Sequence, residues 1–307
     1  MRNLAFCLVL VCMSGLTARA DSGAVPGYLQ KDMHELIAIM RGRWDNDGHV
    51  FFAVDAGMDP ATVAPREHQI ISPVDGSEGR QLRVVRKAPG LPDRELFYTF
   101  RVNPAANRVD QAILHADGSS AGCDVSWARS GEGFSGIASG EGCAALFPKA
   151  VGKGPLRALM TLSPDAFWTS SSRGGATVES RMRRARVFSC WTSVLRGAHH
   201  GDSGEGEDDW YFQRDILIQD QGGNAVLMTD ETPPRKIEFK LRDVDWTYGA
   251  NRPSLTLYIH EGENDRATSY AWAEGGAGRI GINLRWIQAS CTFAADEEFV
   301  DLSIFSN

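Results

Sequence analysis

The sequence predicts a mainly β protein: a closed antiparallel barrel or sandwich entered through one N-terminal helix, followed by a second β-rich region. Three observations carry this. Helical spacing is confined to one segment near the N-terminus. Short runs of strand-forming residues follow it, separated by turn signals such as Asp47-Gly48, Asp75-Gly76 and Asp117-Gly118. Towards the C-terminus, apolar and polar residues alternate with period two, the pattern of a sheet with one buried face.

The chain has 307 residues. Arg2 gives a positive start, residues 4–16 are apolar, and Ala18-Arg19-Ala20 forms a small-residue cleavage site before Asp21. Residues 1–20 therefore read as a secretory signal peptide, and the mature protein as periplasmic or extracellular. The bulky Val11 before Cys12 speaks against lipid attachment there. The apolar run is too short for a membrane span, and no later segment approaches one.

Leu29, Met33, Leu36, Ile37 and Met40 recur at helical spacing, and the helix should stop near Gly42. Strands are expected over 49–54, 67–71, 81–86, 95–102, 108–114, 123–128, 133–138, 157–162 and 184–195. Residues 28–196 would form the barrel. Residues 197–209, rich in glycine and acids, read as a solvated linker. Residues 210–307 form the second β-rich region, with strands over 210–218, 225–228 and 237–244. There Leu255, Leu257 and Ile259 alternate with Thr256, Tyr258 and His260, and Ile280, Ile282, Leu284 and Trp286 alternate with Gly281, Asn283 and Arg285. Asp220 to Asn224 reads as a turn.

Charge and cysteine count bound the function. The 32 basic and 39 acidic residues leave a net charge of −7, which becomes −9 when Arg2 and Arg19 depart with the leader. Such a chain is not a general binder of nucleic acid or anionic membranes. Once the leader is removed, Cys123, Cys143, Cys190 and Cys291 remain, an even number suited to an oxidising compartment. Four cysteines allow three pairings. Cys123 with Cys143 would close a local loop, and Cys190 with Cys291 would join the ends of the two halves. No C-x-x-C or paired-histidine spacing supports zinc, and the adjacent His199 and His200 read as exposed loop residues, so no metal is expected. No G-x-S-x-G, HExxH or P-loop motif points to hydrolase or nucleotide chemistry.

Four short motifs occur in order: "GRWDN" after the helix, "GCDVSW" to "GEGC" from Gly122 to Cys143, "SRGG" from Ser172, and "VFSCW" ending at Trp191. Over residues 36–191 the chain resembles the CpcT/CpeT-type phycobiliprotein chromophore lyases. The resemblance implies a lipocalin-like barrel, a bound bilin or other tetrapyrrole with no other cofactor required, and an acceptor protein whose cysteine receives the pigment. The sequence departs from the family at its P-Y-R-Q-R run, which here is "PDREL". Asp93 replaces the tyrosine, Arg94 is kept, and Leu96 replaces the second arginine. Ser172 replaces an aspartate, with Arg173 and Gly174 kept.

Alternation along one strand puts Arg94 on the same face as Leu96, Tyr98 and Phe100. Arg94 and Tyr98 are the leading ligand candidates, Arg94 as a partner for a carboxylate. Trp44, Asp45 and Arg173 are further candidates. The alternatives are an exposed strand-end arginine for Arg94, a barrel-end plug for Trp44, a cap or turn for Asp45 and a loop arginine for Arg173. The basic run Arg181 to Arg186 reads either as an anion attractant or as a solvated strand face. The leading reading, implied by the resemblance, is a chromophore lyase; the alternatives are a non-catalytic carrier of a hydrophobic small molecule and a structural envelope protein. A homodimer is compatible with each.

Overall fold

The computed structural model describes residues 26–147, 153–197, 206–246, 251–264 and 266–302. The expected leader, His199, His200 and most of the acidic stretch expected as a linker lie outside the described residues. The fold is mainly β, with a closed ten-stranded antiparallel barrel, as the sequence leads one to expect.

The first helix, α1 (Gly27–Met40), buries Leu29, Met33, Leu36, Ile37 and Met40, the periodic set. Each is worth roughly 1.5–3 kcal/mol relative to exposure. Its last carbonyls, which lack partners within the helix, are taken by side chains from elsewhere. Arg184 donates to Ile39 O at 2.5 Å and Arg41 O at 2.6 Å, and Trp44 Nε1 donates to Met40 O at 2.9 Å. Gly42 then turns the chain at φ +112°, where the Arg184 guanidinium leaves no room for a Cβ.

The barrel runs β1 (Gly42–Asp45), β2 (His68–Pro73), β3 (Gln81–Lys87), β4 (Arg94–Asn103), β5 (Arg108–His115), β6 (Ser120–Ser130), β7 (Gly133–Ser139), β8 (Arg157–Leu162), β9 (Ala166–Arg173) and β10 (Ala176–Ala185). Consecutive strands from β2 to β10 pair with each other. The short β1, buried throughout, closes the ring between β10 and β2. Residues 49–54, expected as a strand, lie instead in helix α2 (Asp47–Asp55). Asp45 Oδ1 accepts the Asp47 N–H at 2.7 Å, and the Asn46 side chain accepts the Glu67 N–H at 2.7 Å. These bonds, one local and one tertiary, turn the chain into a helix and override the strand preference of Val50, Phe51 and Phe52.

The stretch from Gly122 to Cys143 is the β6–β7 hairpin and its return. Asp124 lies opposite Ser139, so Cys143 must curl back past Gly140 and Gly142. The Cys123–Cys143 disulfide closes that curl and sets the one-turn helix α3 (Cys143–Leu146) across one end of the barrel.

The second region is a sandwich of two four-stranded sheets. One is ordered β12-β11-β18-β17, from β12 (Trp210–Gln219), β11 (Val187–Leu195), β18 (Ile287–Phe293) and β17 (Arg279–Asn283). The other is ordered β13-β14-β15-β16, from β13 (Gln221–Met228), β14 (Lys236–Val244), β15 (Ser254–Glu261) and β16 (Ser269–Glu274). The alternating residues Leu255, Leu257, Ile259, Ile280 and Ile282 meet in one core between the sheets. The expected bounds change here: the barrel ends at Ala185 instead of residue 196, and the stretch 197–209 connects β11 to β12 within the sandwich instead of linking the halves. The strand expected over 184–195 divides at Arg186, and its second part pairs inside the sandwich. The Cys190–Cys291 bond therefore joins neighbouring strands of one sheet, not the two halves. The cause lies at Arg186, whose N–H and guanidinium both bind Asp220 (2.8 and 2.6 Å) and whose second arm reaches Asp243 at 3.0 Å. The turn expected over 220–224 narrows to Asp220, with Gln221 already in β13.

The halves meet around Asp45, which is 1% exposed. Besides the Asp47 N–H it accepts from His68 Nδ1 at 3.0 Å, Arg66 Nη2 at 3.3 Å and Gln219 Nε2 of the sandwich at 3.2 Å. His68 Nε2 lies 3.2 Å from Arg43 Nη1, so the ring donates through Nδ1, accepts through Nε2 and is neutral. Burial holds the His68 pKa below its usual value, although Asp45 pulls the other way. Arg43 also donates to Val300 O, tying the C-terminal segment to the barrel.

Two outcomes are expected. Loss of the Cys123–Cys143 bond, 20 residues apart in sequence, should cost about 3 kcal/mol, and loss of Cys190–Cys291, 101 apart, about 4–5 kcal/mol. Urea denaturation of the paired Cys→Ala variants checks the order, and a larger loss from the first pair would contradict it. His68 sets the second. Above its unfolded value of about 6.5 the ring is neutral in both states. As pH falls below that, the unfolded chain binds a proton the folded protein refuses, and stability is lost. Asp220, pushed up to about 6 by burial, works in the opposite direction, since the folded protein protonates first. In His68→Asn the acid-side loss should shrink by up to about 1.4 kcal/mol per pH unit. Urea titrations between pH 5 and 8 measure it, and an unchanged slope would place the titrating group elsewhere.

Candidate ligand-binding site

The barrel interior is packed with side chains. Trp44, Trp127, Phe134, Phe167, Met160 and Met182 belong to one continuous core with the inner face of α1. Trp44 and Phe167 meet edge to face with centroids 5.8 Å apart, and Trp127 Nε1 donates to Gln111 Oε1 at 2.6 Å. What remains is a cavity of about 30 Å³, lined in part by Tyr98, Gln111, Thr169 and Ser180. That is space for roughly one or two waters. Burial raises the Tyr98 pKa, so the phenol stays neutral.

Outside this cavity, at the end covered by α3, lies an open groove of about 670 Å³. Pro60, Ala64, Pro65, Leu91, Leu146 and Phe147 give it an apolar surface. Leu91 is 67% exposed. The polar wall comes from β3 and β4, where Arg86 and Arg94 stand directly opposite each other. Two like charges in that register repel. Each is turned towards α3: Arg86 donates to Leu146 O at 2.6 Å and Arg94 to Ala145 O at 2.7 Å. Arg86 is further gripped by both Glu67 oxygens, at 2.6 and 2.9 Å, which keep it charged despite burial. Lys87 is neutralised by Asp93 at 2.9 Å and Asp301 at 2.7 Å. Arg94 has no carboxylate partner among the described residues, and partial burial together with Arg86 lowers its pKa. Arg86, Lys87 and Arg94 are matched in number by Glu67, Asp93 and Asp301, but Arg94 alone of the three cations makes no ion pair among the described residues, which leaves one unpaired guanidinium beside an apolar surface, an arrangement suited to an amphipathic anion.

The five candidates do not form one site. Arg94 lines the groove, and Tyr98, two residues further along the same face than Leu96, lies in the small cavity beneath it. Trp44 is fully buried against α1. Asp45 stands at the junction of the halves. Arg173 ends β9 at the α3 end of the barrel, beside the Gly174-Gly175 turn, and is not part of the groove lining. The basic run makes its contacts within the molecule, with Arg181 on an exposed strand face. Arg181 pairs with Glu179 and covers Trp168, Arg183 donates to Asp243 O, Arg184 caps α1, and Arg186 binds Asp220. Asp93 and Leu96, the departures from the family motif, are an ion-pair partner of Lys87 and a barrel-core residue.

Sequence reasoning missed Glu67, Arg86 and Leu91. A carboxylate and an arginine on adjacent predicted strands were the available signal, but which strands pair, and in what register, is not written in either one. The Asp45–His68 pair resembles part of a catalytic triad, yet His68 is wholly buried and its outer nitrogen is occupied by Arg43, so no substrate reaches it. Among the described residues no cluster of His, Cys, Asp or Glu could hold a metal ion, and no helix is long and apolar enough to cross a membrane.

No family model matches the chain, and no curated protein matches it. Among solved structures it is similar to the T-type phycobiliprotein lyase CpeT from Prochlorococcus phage P-HM1, with a TM-score of 0.33 and 14% identity, over 50% of this chain and 98% of that one.

Proposed function

We propose that the first half is a non-catalytic carrier of an amphipathic small molecule bearing a carboxylate. A linear tetrapyrrole is the class that the order of the sequence motifs suggests. The observation that carries the reading is the apolar groove at the α3 end with Arg94 in its wall. Its volume falls in the range of small-molecule sites, about 300–1,000 Å³, whereas the interior cavity is far below it. The ligand would lie across the mouth, its carboxylate on Arg94 and its apolar body against Leu91, Leu146 and Phe147. An anion there also relieves the repulsion between Arg86 and Arg94. The two disulfides accord with an oxidising, exported setting. Transfer of a pigment to an acceptor protein has less support, because Asp93 and Leu96 depart from the lyase motif. All four cysteines of the described residues are also bonded to each other, so none offers a thiol for a covalent intermediate.

Biliverdin titrated into the mature protein, followed by absorbance and tryptophan quenching, should bind. Arg94→Ala should weaken it roughly tenfold or more, the loss of one charge-assisted hydrogen bond. Leu91→Asp should weaken it as well, while Arg173→Ala leaves it unchanged. Equal affinity in wild type and Arg94→Ala would remove the site. No binding at all would leave the barrel a packed structural module. Co-production with a bilin and a phycobiliprotein β-subunit should yield no covalent fluorescence after denaturation, and attachment at a cysteine would restore the lyase.

A further inference from the structure

The outer face of the β13-β14-β15-β16 sheet carries a strip of aromatic rings. Tyr258 of β15 lies opposite Tyr270 of β16, with centroids 6.4 Å apart and planes inclined by 39°. Trp272 follows two residues along β16, about 7 Å further on the same face. Tyr270 is 66% exposed and Trp272 71% exposed. Trp246 ends the strip, fixed by its Nε1 donating to Ser254 Oγ at 3.1 Å and by an edge contact with Phe52. The opposite faces of these strands fill the sandwich core with Leu255, Leu257 and Ile259. The rings add nothing to that core. Bulky rings held on a rigid sheet with their surfaces in water form a patch that demands a partner.

The charges around the strip identify the partner's chemistry. Two open grooves, of about 720 and 830 Å³, flank the rings and share Tyr258 and Tyr270. Their linings hold Arg252, Lys240, Arg242 and Arg266, and a single acid, Glu274. Arg242 is paired with Asp47 at 3.0 Å. Lys240, Arg252 and Arg266 make no ion pair among the described residues, in a protein whose other cations are mostly paired and whose net charge is −7. The face is thus locally opposite in sign to the chain that carries it. Between the charges stand Thr256, Ser254 and Thr268, which donate and accept hydrogen bonds.

We propose that this face binds an acidic glycan. The CH faces of successive sugar rings stack on Tyr258, Tyr270 and Trp272, whose ring faces are electron-rich. The hydroxyls of the chain meet Ser254 and Thr268, and intermittent carboxylates meet Lys240, Arg252 and Arg266. A single-stranded nucleic acid also offers stacking and negative charge, but with one phosphate per nucleotide it calls for a continuous cationic track. Here three cations are dispersed over a broad face of an acidic protein. The assignment is independent of the ligand groove in the barrel half.

Affinity electrophoresis and calorimetry of the full mature chain test this with polygalacturonate, hyaluronan, neutral xylan and single-stranded oligothymidylate. Binding to at least one of the two acidic glycans is expected, with weaker or no binding to xylan and oligothymidylate. Trp272→Ala and Tyr270→Ala should each weaken it about tenfold. Their exposure means that circular dichroism and thermal stability should not change. Lys240→Gln with Arg266→Gln should remove the preference for acidic over neutral glycan, and Arg94→Ala should have no effect. Failure to bind either acidic glycan, tighter binding of oligothymidylate, or binding indifferent to Trp272→Ala would overturn the assignment.

Discussion

A carboxylate sealed from water holds this molecule together. Leaving the Asp45 charge unpaired in the interior would cost several kcal/mol, and each bond that prevents this fixes a different part of the fold. The Asp47 N–H starts α2, His68 sets the first residue of β2, Arg66 orders the segment before it, and Gln219 belongs to the other half of the protein. Arg66 extends the network by donating to Gly222 O at 2.9 Å, and Asp47 reaches Arg242 of β14 at 3.0 Å. The interface between barrel and sandwich is therefore polar and specific. It fixes one geometry where an apolar interface would tolerate sliding. A second knot beside it, Arg186 with Asp220, holds the point where the chain leaves one half for the other.

The same economy of space shapes what the barrel can do. A barrel of this size can enclose one small ligand or fill itself with side chains, and here the tryptophans and phenylalanines have taken the room. The open surfaces lie outside in consequence, at the rim by α3 in the first half and on the outer sheet face in the second. The two surfaces differ in kind. The rim groove is apolar with one unpaired cation, while the sheet face is aromatic with several dispersed cations. The disulfide of the first half bears directly on the rim, because it fixes the short helix whose carbonyls hold Arg86 and Arg94.

Much of this was legible in the sequence. The period of α1 named its five buried residues, the glycine-rich return from Gly140 to Cys143 foretold the local disulfide, and the alternation in β15 named the sandwich core. Strand alternation also put Arg94 and Tyr98 on one face. The rest depended on pairing. Residues 49–54 have strand-forming side chains and became helix because Asp45 and Asn46 bind the flanking backbone. The division at Arg186 reflects contacts with Asp220 and Asp243, distant in sequence. The strip of Tyr258, Tyr270 and Trp272 was not legible, since "SYAWAE" alternates aromatics with alanines and that pattern alone would turn the rings inward. Only the pairing of β15 with β16 shows that they are neighbours.

Closure of the barrel by β1 has a consequence in time. The four residues of β1 emerge early, and their partner β2 follows soon after, but their other partner, β10, arrives about 140 residues later. Until then Trp44 has no wall at its back and the β1 edge stays open to any strand that passes. Because loop-closure entropy grows only slowly with length, the delay costs little stability. It does make the last barrel contact among the most distant in the chain, and such topologies assemble slowly. A protein built this way must keep its unfinished edge out of reach of other chains while it waits.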